Sequence, residues 1–174
     1  MQQGDTISAI ATPQGEGGIG VIRISGEHAL KTAGKVFRAA NGKPLVMAGS
    51  HHAVYGHIVD EKGQIIDECL ALIMLAPHSY TVEDVVELQC HGGLMTLRKT
   101  LELTWQAGAR PAERGEFTKR AFLNGRLDLS EAQAVMDIIK ARTETSLTMA
   151  AGHLTGHCSK LIKEMRHDIL GMIA

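Results

Sequence analysis

A change of hydrophobic period partway along the chain limits the fold more than any other feature. Up to about residue 92 the apolar side chains recur at the short spacing of strands, and beyond residue 116 they recur at helical spacing. Thr6–Thr12 and Gly20–Ser25 read as strands flanking a glycine loop, and His28–Ala39 has helical spacing through Ala29, Ala33 and Val36. His52–Val59 alternates, turns around Gly63 and returns as Ile65–Leu75, which is the pattern of a hairpin. Asp84–Cys90 is a further short apolar stretch that ends at Gly92-Gly93. The helix after it is predicted to carry Leu94, Leu97, Leu101 and Trp105 on one face and to stop at Gly108. Strands followed by helices predict an α+β fold, a mixed sheet with packed helices and then a helical segment.

In the helical part, Ser130-Glu-Ala-Gln133 has the spacing of a capping box. Leu147, Ala151, Leu154, Cys158, Leu161 and Met165 recur at steps of four and three, continuing to Ile169 and Met172, as in a long helix packing in a bundle. The stripe runs to Ala174 without a capping signal, so the sequence is expected to be the front piece of something longer. Its 174 residues suit one domain plus an appendage.

Composition narrows the class. With 44% apolar and 21% charged residues the chain is expected to fold, and at 3% aromatic its core must be aliphatic. Cys69, Cys90 and Cys158 make an odd, widely spaced set, neither a zinc pattern nor a disulfide ladder, so a reducing cytoplasmic setting is expected. The first basic residue is Arg23 and the longest strongly apolar run is Cys69–Pro77, so neither a secretory leader nor a membrane helix is predicted. A net charge of -1 excludes a global basic field. Residues 98–126, however, carry a local +4 through Arg98, Lys99, Arg110, Arg114, Lys119, Arg120 and Arg126, a window able to meet an anion or simply to be solvated.

Several motifs look like chemistry and fail on context. Gly15-Glu-Gly-Gly-Ile-Gly20 satisfies GxGxxG, but its glycines run into the β-branched Val21-Ile-Arg-Ile24 where a dinucleotide site needs a helix to open. What remains is a hairpin connection, or a loop that lets backbone approach a flat ligand. No GxxxxGK[ST] or GxSxG occurs. His153 and His157 have a chelating spacing but lack the Glu of a metalloprotease and a third ligand. Cys90 and His91, being neighbours on a strand, point to opposite faces and cannot act as a nucleophile–base pair.

Two charges stand out instead. Glu87 interrupts a short apolar run where an unpaired carboxylate is expensive, and Arg23 interrupts another among Val and Ile. Either they pair with each other or lie on a wet strand face, or a ligand supplies the partner.

Four blocks carry a resemblance to a known family. They are Asp5-Thr-Ile, the Ala11–Gly26 segment with its glycine loop, Glu87-Leu-Gln-Cys-His-Gly-Gly93, and Arg114–Leu129 with Asn-Gly-Arg-Leu-Asp-Leu. In order and spacing they resemble the MnmE (TrmE) family of tRNA modification GTPases. That resemblance implies a tetrahydrofolate-binding and dimerisation domain over residues 1–120, similar to the folate domain of the glycine-cleavage T-protein. Residues 121–174 would then be the first part of a helical domain, with the G domain and a terminal cysteine motif absent. It implies that the whole protein is a cytoplasmic homodimer that works with the flavoprotein MnmG. Together they add a carboxymethylaminomethyl-type group to C5 of wobble uridine in tRNA, using 5-formyltetrahydrofolate or another one-carbon folate, GTP, Mg2+ and K+. This piece alone is not expected to hydrolyse GTP. The family's folate contacts carry over to Arg23, Glu87 and Arg126, the last at a position where many relatives have Lys. Tyr80 and the Gly15–Gly20 loop are further candidates for flanking the ring. A free-standing folate-dependent aminomethyl transferase and a non-catalytic assembly module are the alternatives.

Overall fold

A computed structural model describes residues 4–13, 15–156, 162, 165, 166 and 168–171. The chain divides into two compact units, residues 1–117 and 118–174.

The first unit holds seven strands: β1 (Ile7–Ile10), β2 (Gly17–Ser25), β3 (Phe37–Ala39), β4 (His52–Val59), β5 (Ile65–Met74), β6 (Val85–Gly92) and β7 (Arg110–Pro111). They form one sheet in the order β3-β4-β5-β6-β2-β1-β7. All pairings are antiparallel except that of β1 with β7, so the sheet is mixed, as predicted. Helices α1 (Ala29–Val36) and α2 (Leu94–Gln106) supply the other side of the core, with Ala29, Ala33, Val36, Leu97 and Leu103 packed on Ile22, Ile24, Ile58, Ile73, Val86 and Leu88. Each large aliphatic side chain buried here contributes about 1.5–3 kcal/mol. The period-2 alternation that sends Ile22, Ile24, Val86 and Leu88 into this core sends Arg23 and Glu87 to the opposite face.

Local pattern and tertiary packing disagree in four places. The helical spacing over His28–Ala39 ends early, because Phe37–Ala39 leaves α1 to pair with β4 at the sheet edge. The buried side of α2 is Leu97, Thr100, Leu103 and Thr104, whereas Leu94 is 62% exposed and Trp105 36% exposed. Threonine can face a core here because its hydroxyl is satisfied locally: Thr100 donates to the Thr96 carbonyl at 2.8 Å and Thr104 to that of Leu101 at 2.7 Å. Thr104 Oγ1 also lies 2.7 Å from Ser8 Oγ on β1. The other two disagreements fall in the second unit.

In that unit, α3 (Glu116–Leu123, which crosses the boundary) is followed by α4 (Leu129–Lys140) and α5 (Glu144–Leu154). The capping box of α4 is Asp128 with Glu131, not Ser130 with Gln133: Asp128 Oδ1 accepts the Glu131 N–H at 2.9 Å and Glu131 Oε2 accepts that of Asp128 at 2.7 Å. Two carboxylates at the positive end of the helix are better acceptors than a hydroxyl and an amide. The predicted stripe from Leu147 does not lie on one unbroken helix either. α5 stops at Leu154, and Gly156 takes φ +75, which ends a helix in the left-handed conformation. Cys158, Leu161 and Met172 of that stripe, and His157 of the histidine pair, lie outside the described residues. Leu147, Met165 and Ile169 are exposed. Among the described residues no helix is long and apolar enough to cross a membrane.

Candidate functional site

Strands β2 and β6 run side by side with Arg23 directly opposite Glu87. Arg23 Nε donates to Glu87 Oε1 at 2.7 Å, and a terminal guanidinium nitrogen lies 2.7 Å from the same oxygen. The side chains are 25% and 14% exposed. Both contacts fall on Oε1, so Oε2 takes no hydrogen bond from a described residue.

The guanidinium is also flanked by rings. Its carbon lies 5.2 Å from the centre of Tyr80 and 5.4 Å from that of Phe117, within cation–π range. Tyr80 comes from the connection between β5 and β6, which is pinned by hydroxyls. Ser25 Oγ donates to Glu83 Oε2 at 2.7 Å and lies 2.7 Å from Thr81 Oγ1, while Ser79 Oγ donates to the Glu83 carbonyl at 2.5 Å. Val82, inside this segment, has φ +66, a conformation a β-branched residue enters only when its surroundings impose it.

Phe117 is placed by a second network. Arg110 on β7 donates from Nε to Asp5 Oδ2 at 2.8 Å and from its terminal nitrogens to Glu116 at 2.7 and 3.2 Å. Glu116, 1% exposed, also accepts the Glu113 N–H at 2.7 Å. Hydrogen bonds to Glu116 and then Asp5 hold Arg110 charged well above its ordinary range. This network fixes the start of α3, and Phe117 is the next residue after Glu116.

Of the predicted site residues, the structure brings Arg23, Glu87 and Tyr80 together in the first unit. Arg126 belongs to the second unit, in the turn between α3 and α4 after Gly125, with its backbone N–H on the Ala121 carbonyl at 2.9 Å. The glycine loop enters β2 through an irregularity in register between Gly17 and Ile19, where Gly17 pairs with Gly92. It opens a strand and not a helix, in keeping with the sequence argument against a dinucleotide site. Phe117 and the Arg110–Glu116 pair were not legible as site features. The signal available was one of three phenylalanines directly after an acid and close to a run of cations.

A second polar cluster lies toward the other end of β6. His91 donates its N–H to Asp67 Oδ2 at 2.8 Å and sets Nδ1 2.6 Å from Oδ1. The hydrogen bond and charge of Asp67 raise the His91 pKa above 6.5. His91 also lines a groove of about 200 Å³ with Ile19, Tyr55, Glu68, Leu70 and Gln89. Among the described residues no group of three or more His, Cys, Asp or Glu gathers that is able to hold a metal ion.

Comparison with known proteins bears on the whole chain. The family profile of the GTP-binding protein TrmE N-terminus matches residues 6–126. Over 170 residues the chain is 55% identical to the tRNA modification GTPase MnmE of Symbiobacterium thermophilum, covering 98% of this chain and 37% of that protein. It is 50% identical over 175 residues to the protein of the same name from Geobacillus thermodenitrificans, covering 100% and 38%. With that from Lactiplantibacillus plantarum it shares 54% over 171 residues, covering 98% and 36%. The chain therefore spans well under half the length of the curated relatives it matches.

Proposed function

We propose, from the premise that this chain belongs to the TrmE N-terminal family, that it is the folate-binding, dimer-forming portion of a tRNA modification GTPase. Residues 1–120 would form the tetrahydrofolate-binding and dimerisation domain and residues 121–174 the first part of the helical domain. The observation that carries this reading is the Arg23–Glu87 pair, two charges set among Val, Ile and Leu of β2 and β6, with Glu87 Oε2 taking no hydrogen bond from a described residue. A partly buried ion pair adds little stability over apolar residues of the same size, so its presence favours a binding role.

The chemistry suits a reduced pterin. Such a ring offers an amino group and an adjacent ring N–H along one edge, and Glu87 accepts both side by side once Arg23 turns from Oε1 to the bound folate. Arg23, steadied by Tyr80 and Phe117, and Arg126 hold the one-carbon-bearing region or the anionic glutamate tail of 5-formyltetrahydrofolate. Each charge-assisted bond of this kind contributes about 1.5–3 kcal/mol. The glycine loop offers backbone to the ring. In the intact protein, GTP with Mg2+ and K+ would act in a domain outside this sequence. The homodimer, with MnmG, would add the carboxymethylaminomethyl-type group to the wobble uridine of tRNA.

Calorimetric titration of 5-formyltetrahydrofolate into the wild-type chain and Glu87→Ala tests the reading. Loss of two bonds predicts affinity at least about tenfold weaker in the variant. Equal affinity removes Glu87 from the site, and a dimer that binds no reduced folate favours the assembly module instead.

A further inference from the structure

We propose that Cys69 and Cys90 are an oxidative modification site, a dithiol that closes to a cross-strand disulfide on exchange with a low-molecular-weight disulfide.

β5 and β6 are antiparallel, and the last pair along their ladder is Leu70 with Gln89. Carrying that register one step outward sets Cys69 opposite Cys90. Cross-strand neighbours have Cα atoms about 4.5 or 5.5 Å apart depending on the pair type, and both distances lie inside the range a disulfide needs, about 4.4–6.8 Å. Alternation puts both thiols on the same face of the sheet as their neighbours Ala71 and Leu88, and both are free and buried. The two thiols interact directly: hydrogen bonding to Cys90, then burial, pushes the Cys69 thiol far up.

The pair sits where the sheet opens. Beyond it the His91 N–H is taken by the Asp67 side chain and not by a β5 carbonyl. Both cysteines line the groove of about 200 Å³ beside Ile19, Tyr55 and His91. The thiols themselves are 5% and 2% exposed, so exchange at them goes with opening of this strand end.

The step balances as two exchanges. One of the two cysteines gives up its proton, and its sulfur attacks one sulfur of the small disulfide, breaks the S–S bond and releases one small thiolate. The other cysteine then gives up its proton and attacks the protein sulfur of that mixed disulfide, releasing the second. Two protein thiols are oxidised by two electrons, one small disulfide is reduced to two thiols, and the two protons pass to the released thiolates.

The 174-residue chain carrying Cys158→Ser, which leaves only this pair of thiols, is equilibrated with glutathione buffers of varied ratio, both folded and in guanidinium chloride. Intact mass and non-reducing peptide maps are then read. The folded chain is expected to form the Cys69–Cys90 disulfide at a ratio at least about tenfold less oxidising than the unfolded chain does, because the fold already holds the loop closed. An equal or more oxidising requirement when folded overturns the proposal. So does a folded product that ends as a single glutathione adduct.

Discussion

Asp67 holds His91 twice, with one carboxylate oxygen on the backbone N–H at 2.8 Å and the other on Nδ1 at 2.6 Å. Because the imidazolium gains a partner on folding, its pKa lies above the ordinary 6.5. While Asp67 stays ionised, the contact therefore stabilises the fold fully below pH 6.5 and loses that contribution as pH rises through the raised value. An NMR titration of the His91 ring should show the raised midpoint, and Asp67→Asn should return it toward 6.5. A midpoint unchanged by the substitution would refute the bridge.

The Arg23–Glu87 pair predicts an asymmetry between single and double variants. Arg23→Met leaves the Glu87 carboxylate partly buried without its cation, and should destabilise the chain by about 1–3 kcal/mol in urea unfolding. Replacing both, as Arg23→Met with Glu87→Leu, should recover most of that loss while abolishing folate binding. If the double variant is as unstable as the sum of the singles, the charges are not coupled.

Glu116→Ala should be among the more damaging single changes, lowering stability by about 2–4 kcal/mol. The loss falls somewhat below the roughly 3–5 kcal/mol of a fully buried pair, because Arg110 is 37% exposed and solvent screens its charge. Thermal unfolding reads the loss, and Phe117 should become more accessible to quenchers or proteases as the start of α3 loosens.

Two glycines of the β2–β6 pair should behave oppositely. A Cβ added at Gly92 would collide with the backbone of Gly17 and lie 3.1 Å from the carbonyl carbon of Ile19. Gly92→Ala should thus cost about 1–3 kcal/mol. Nothing lies within 4 Å of a Cβ at Gly18, so Gly18→Ala should fall within about 0.5 kcal/mol of wild type. Equal effects would mean that Gly92 is not held against Gly17.

The sequence by itself determined the change from a strand-rich first part to a helical second part, the hairpin of β4 and β5, and the rejection of a dinucleotide site. Each is a local consequence of period and of which residues can start a helix. It also marked Arg23 and Glu87 as anomalous, because a charge inside an apolar alternation is visible without coordinates. Only the tertiary structure decided that these residues, 64 positions apart, face each other, since register belongs to two strands jointly and is written in neither. It likewise decided which side of α2 is buried, where threonines satisfied by their own helix replaced the leucine face that period alone selected. The same holds for Phe117 beside Arg23 and for Cys69 beside Cys90. Contacts between distant segments depend on how the sheet pairs, and a linear pattern specifies periodicity along one element, not adjacency between two.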